Sequence, residues 1–193
     1  MKIKKKIFIS IFWLLSLTDF VANTYNISVL AMIVKPLLIP CLLYLFLIET
    51  NFAKVNNSRF LILGLIFCWL GDVLLMLEYK DPIFFILGLE GFLIGHIFYI
   101  LYFSKLSAVP QKLKEKKMMM LLPVLIHVLL LLYILYPLLG DLKIPVIVYA
   151  IVLASMLSMA LWQSQKIDSS IAKLFIAGAI SFVLSDSLLA LNK

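Results

Sequence analysis

Apolar residues run almost unbroken through seven stretches of the chain, near residues 7–22, 27–49, 59–77, 82–103, 118–137, 144–162 and 171–191. Most approach or exceed the ~20 residues a helix needs to cross a bilayer. None alternates apolar with polar positions, as the strands of a membrane barrel would. The pattern predicts an all-α fold, a polytopic transmembrane helical bundle of seven spans, in a single domain over residues 1–193. Connections are short except at residues 104–117, a lysine-rich stretch with Pro110 that is predicted to lie against the membrane surface.

Composition narrows the setting. With 64% hydrophobic and 14% charged residues and a mean hydropathy of +1.12, the chain is too apolar for a soluble domain. Lipid solvates much of its surface, so packing and polar contacts must hold the helices together. Of its 17 basic residues, 13 fall on one side of the predicted spans, against Lys80, Lys143 and Lys193 on the other and Lys35 within a span. That bias predicts a cytoplasmic N-terminus and, with seven spans, an external C-terminus, and the composition suits a bacterial inner membrane. It also accounts for the net charge of +7, so the expected partner is the membrane and no nucleic acid is invoked. Lys2 to Lys6 precede an apolar run as in a secretory signal. Asp19-Phe20-Val21-Ala22-Asn23 lacks a small-x-small cleavage pattern, however, and an uncleaved first helix is expected.

Against this apolar background the polar residues stand out. Asp72 and Asp186 lie within spans, and a carboxylate at mid-helix depth costs about 2.5–3.5 kcal/mol on insertion scales. Lys35, Asp72, Glu90 and Asp186 are expected in one slab roughly 7–12 Å below the outer surface. His96 is expected deeper, and Asp19 near interfacial water. Glu90 precedes His96 by six positions, about 240° around the helix, so the two are not expected in one narrow pocket. Gly91-x-x-x-Gly95 is a helix close-packing pattern, and the aspartates have small neighbours (Gly64 and Cys68; Gly178 and Ala179) that would admit another helix. Cys41 and Cys68 have no Cys-x-x-Cys spacing and read as core residues. Trp13, Trp69 and Trp162 read as packing or interface anchors, and Glu90 and His127 are left outside the chemistry. No metal or organic cofactor is called for.

The order of these pieces resembles the YhhN group of integral membrane proteins, whose characterised members are lysoplasmalogenases. The resemblance is carried by Lys35-Pro36, Gly71-Asp72-x-x-Leu75, Gly88-x-x-x-Phe92-x-x-Gly95-His96-x-x-Tyr99, Tyr149 with Met156, and Gly178-Ala179-x-x-Phe182-x-x-Ser185-Asp186-Ser187. It implies eight helices, whereas this sequence ends at Asn192-Lys193, directly after the seventh. It also implies hydrolysis of the vinyl ether of a lysophospholipid substrate, releasing a fatty aldehyde. Asp72 and Asp186 would be the catalytic acid-base pair, with Lys35, His96 and Tyr99 binding substrate. Two other readings of buried Asp, Lys and His are a small proton-coupled transporter and a non-enzymatic lipid-binding protein. The absence of an inverted repeat weighs against the transporter.

Overall fold

The computed structural model describes residues 2–25, 27–50, 58–106, 121–164 and 169–191. Among them the chain is all-α: α1 (Lys2–Thr24), α2 (Ser28–Thr50), α3 (Ser58–Leu75), α4 (Ile83–Lys105), α5 (Leu122–Leu135), α6 (Lys143–Ser164) and α7 (Ser169–Leu191). Each helix falls on one of the seven apolar stretches, and all but α5 are long and apolar enough to cross a membrane. The outward residues match that setting, with Trp13, Leu14 and Phe20 of α1 at 68%, 65% and 68% exposure. Most of the lysine-rich 104–117 stretch, with Lys54, Lys166 and Asn192-Lys193, lies outside the described residues.

α5 ends before the expected limit of its span at residue 137, and residues 118–120 of that span lie outside the described residues. It closes after 14 residues, about 21 Å at 1.5 Å per residue, against a hydrocarbon core of ~30 Å. Pro137 has no N–H to continue the ladder. The chain instead turns over 136–138, and Gly140, at φ +47°, opens a short 3-10 turn before α6. At the start of α4, the Asp81 carboxylate accepts a hydrogen bond from the Ile83 N–H at 2.8 Å. Asp81-Pro82 thus supplies the capping oxygen and the proline that favour a helix start.

The helices form two compact units, Met1–Gly95 and His96–Lys193, divided within α4. In the first, α1 and α2 form an antiparallel hairpin in which Lys5 and Glu49 form an ion pair and the Phe8 and Tyr44 rings lie 4.2 Å apart. α3 packs on α2 and, through glycine, on the first half of α4. A Cβ at Gly91 would stand 3.0 Å from the Gly71 nitrogen, and one at Gly95 would stand 2.6 Å from the Cys68 sulfur. Gly64, Cys68 and Gly71 share one helical face and are all buried. The expected small-residue seam beside Asp72 is therefore present. Cys41 and Cys68 are both buried thiols, as read.

The second unit comprises the end of α4 with α5, α6 and α7. Its core includes Leu153, Met156, Leu157 and Ala160 of α6 and Ala179 and Val183 of α7. The buried Gln163 side chain donates from Nε2 to the Phe103 carbonyl at 2.6 Å. Phe103 lies in the last turn of α4, where its carbonyl accepts only a long bond from the Leu106 N–H at 3.3 Å, so the Gln163 contact strengthens the satisfaction of an end group and ties α6 to α4. Gly178 departs from expectation, because a Cβ there would meet nothing within 4 Å. It lies eight positions, about 80°, from Asp186, whereas Ala179, seven positions away, stays on the Asp186 face and is buried.

Candidate functional site

The expected site residues fall into two clusters, one in each unit. In the first, Lys35 Nζ of α2 stands 3.7 Å from Asp72 Oδ1 of α3. Asp72 follows Gly71 by one position and is turned about 100° from the glycine face. α3 therefore shows glycine to α4, and Trp69 with Asp72, three apart, to α2.

Trp69 does more than anchor. Pro40 has no N–H to donate to the carbonyl four residues earlier, so the Pro36 carbonyl loses its helical partner. The Trp69 indole Nε1–H donates to that carbonyl at 2.7 Å. The proline pair thus creates an acceptor inside an apolar hairpin, and the tryptophan satisfies it, fixing α2 against α3 beside the Lys35–Asp72 pair. Trp69→Phe is expected to destabilise the protein by about 1–3 kcal/mol through the orphaned carbonyl. Pro40→Ala restores the helical donor, so Trp69→Phe is expected to cost clearly less in that background. Thermal melting of the four proteins in detergent, analysed as a double-mutant cycle, reads the difference.

Asp19 departs from its interfacial expectation. Its Oδ1 is buried without a hydrogen-bond partner among the described residues, and it stands close enough to Asp72 for the two carboxylates to repel. A carboxylate oxygen in that position is costly. Glu90 is exposed while His96 is wholly buried, in keeping with their 240° separation.

The second cluster centres on Asp186 of α7. The Tyr149 hydroxyl of α6 donates a hydrogen bond to Asp186 Oδ2. His96 Nε2 lies 3.9 Å from the same oxygen, too far for a hydrogen bond but close enough for an ion pair when the ring is protonated. The His96 ring meets Tyr99, Tyr149 and Phe182 edge-on, with centroids 6.4, 5.5 and 4.9 Å away. Phe182 and Asp186 share a face of α7, four positions apart, so the residue that packs on His96 also delivers the carboxylate to it. The side chain of Asp186 is 13% exposed and that of His96 fully enclosed.

One position on, Ser187 turns toward α5. Its hydroxyl donates to the Val183 carbonyl at 2.7 Å and lies 2.9 Å from His127 Nε2. A cavity of about 30 Å³ lies among α5, α6 and α7, with Tyr149, Asp186, Ser187 and His127 in its wall. A water molecule needs about 10–15 Å³ by the same measure, so the cavity has room for a water at the carboxylate.

Sequence reasoning named Asp186, His96 and Tyr99 for this cluster but gave no site role to Tyr149, Ser187 or His127. A phenol in the apolar middle of α6 and the second of only two histidines in the chain were the available signals. Neither pointed to its partner, because both partners are on another helix.

These features define a polytopic helical membrane protein that holds ionisable side chains in paired, partly buried arrangements within its spans. A family model described as the YhhN family matches residues 30–193. The chain belongs to the YhhN family. No curated protein and no solved structure matches it.

Proposed function

We propose that this protein is a lysoplasmalogenase-type ether hydrolase of a bacterial inner membrane, with a cytoplasmic N-terminus. It cleaves the vinyl ether of a single-chain glycerophospholipid to a fatty aldehyde and a glycerophospho-ethanolamine or glycerophosphocholine. The observation that carries this reading is the Asp186 carboxyl, with the Tyr149 hydroxyl bonded to it, His96 beside it and a water-sized cavity at its edge. Membership of the YhhN family supports it.

The chemistry asks for few groups. A proton goes to the β-carbon of the alkenyl ether, leaving an oxocarbenium ion at the carbon bonded to oxygen. Water adds there and loses a proton, and the hemiacetal collapses to the aldehyde and the glycerol hydroxyl. A carboxylic acid kept neutral by an apolar site supplies the first proton, and an ionised carboxylate stabilises the cation and takes the proton from water. Related oxocarbenium chemistry in glycoside hydrolysis divides the work in the same way.

Asp72 and Asp186 are the carboxylates assigned to these roles. Lys35 binds the lipid phosphate and restrains Asp72, while His96 and Tyr99 line the substrate near Asp186. Tyr149 holds the Asp186 carboxyl in one rotamer and supplies a relay for its proton.

The test is aldehyde release from lysoplasmenyl-ethanolamine by the purified protein in detergent. Release is expected from the parent protein, and Asp72→Asn is expected to reduce it at least tenfold with an unchanged melting temperature. No release from folded protein would sink the hydrolase reading. Full turnover by Asp72→Asn would remove that residue from the mechanism.

A further inference from the structure

Asp186 and Ser187 are consecutive residues of α7, about 100° apart around its axis. Each is held from a different helix. Tyr149 of α6 bonds to the first, and His127 of α5, with Nε2 2.9 Å from Oγ, bonds to the second. One such contact leaves a helix free to turn about it, whereas two from different directions set its rotation and its height together. In lipid this matters more than in water, because apolar burial contributes little between helices and polar contacts must resist a small turn. Packing does not confine the Asp186 carboxyl on every side either, since the cavity of about 30 Å³ lies beside Tyr149, Asp186, Ser187 and His127.

The direction of the second bond follows from Ser187. Its buried hydroxyl gives its one proton to the Val183 carbonyl four residues back, at 2.7 Å. Oγ therefore accepts from the His127 Nε2–H. The consequence for Asp186 is one of leverage. A side-chain carboxyl stands roughly 5 Å from its helix axis, so a turn of about 10° carries it about 1 Å. A misplacement of about 1 Å can cost about a hundredfold in rate.

We propose that His127, acting through Ser187, is a positioning residue that fixes the rotation of α7 and so aims the Asp186 carboxyl at Tyr149 and at the reacting ether. Its catalytic consequence rests on the hydrolase reading. Its effect on Asp186 is read without turnover.

The probe is 3-fluorotyrosine at position 149 of the full-length protein in detergent, whose fluorine resonance reports the hydrogen bond to Asp186. Asp186→Ala marks the resonance of the broken bond. His127→Leu and Ser187→Ala are each expected to move the signal toward that mark, and the double variant no further than either alone, because one bond serves both. His127→Gln is expected to leave it in place, since its amide offers an N–H to the serine oxygen. Phe175→Ala is the control for general loosening, because it strips α7 of its ring contact with Phe103 about three turns from Asp186. It is expected to lower the melting temperature and leave the resonance where it was. In aldehyde assays, His127→Leu and Ser187→Ala are expected to lower kcat about tenfold with KM within about twofold, and His127→Gln to restore most of the loss.

A parent-like resonance in folded His127→Leu would overturn the proposal, as would an equal displacement by Phe175→Ala. Where His127→Leu does not fold, Ser187→Ala carries the same test. Lost turnover without a displaced resonance would also overturn it, because His127 would then act on something other than the placement of Asp186. The expected displacements in a protein that releases no aldehyde would sink only the hydrolase reading.

Discussion

Asp186→Asn is expected to abolish aldehyde release, lowering turnover by about 10²–10⁴-fold, the range by which a positioned acid or base contributes to a reaction. The substitution keeps the shape of the side chain and an oxygen for the Tyr149 hydroxyl, so the protein is expected to fold and to bind lysolipid. What it removes is the ability to exchange a proton. Tyr149→Phe is expected to fall between the parent and Asp186→Asn, at about tenfold lower turnover, because the carboxyl survives but loses its orienting partner. Single-turnover aldehyde assays with lipid binding measured on the same samples separate the two effects. Parent-like turnover by Asp186→Asn would remove the residue from the mechanism.

The second large effect is structural. Gly91→Leu is expected to prevent α3 and α4 from packing in the first unit, giving a protein that is poorly recovered from membranes or lacks a cooperative melt. The reason is geometric, since a Cβ at residue 91 already stands 3.0 Å from the Gly71 nitrogen, 3.1 Å from its Cα and 3.2 Å from the Phe67 carbonyl. All three are backbone atoms that no side-chain rotation can move. Even Gly91→Ala is expected to destabilise by about 1–3 kcal/mol, the usual range for overpacking. Gly178→Ala is the control. Its Cβ would meet nothing within 4 Å, and the change is expected to be neutral or stabilising by up to about 1 kcal/mol, because alanine favours helix over glycine. Melting temperatures of the three proteins in one detergent decide the matter. An equal gain from alanine at positions 91 and 178 would show that helix propensity, rather than close approach, governs both.

The contrast between these glycines shows how far the sequence could be read. Gly91-x-x-x-Gly95 and Gly178 both looked like places for helix contact, and only the first is one. Spacing places residues on a common face but does not say which face meets a neighbour. Asp19 makes the same point. Position along α1 suggested water, whereas the fold of the first unit buries its Oδ1 near Asp72. Trp69 read as an anchor because an indole in an apolar helix usually is one. Its specific task followed only when α2 brought the Pro36 carbonyl within 2.7 Å.

Properties local to the chain were determined by the sequence alone. Each of the seven apolar stretches holds one of the α-helices of the described residues, because a segment with no water to bond its backbone must satisfy it internally. The cost of an ionisable group in such a segment singled out Asp72, Asp186, Lys35 and His96 as residues needing partners. Tertiary structure alone decided who those partners are. Lys35 meets Asp72, Tyr149 meets Asp186, and Ser187 meets His127, each across two helices and over 37 to 60 positions of chain. An error of one position in helical phase moves a side chain by about 100°, enough to exchange one neighbour for another, so these pairs are fixed by how the helices pack.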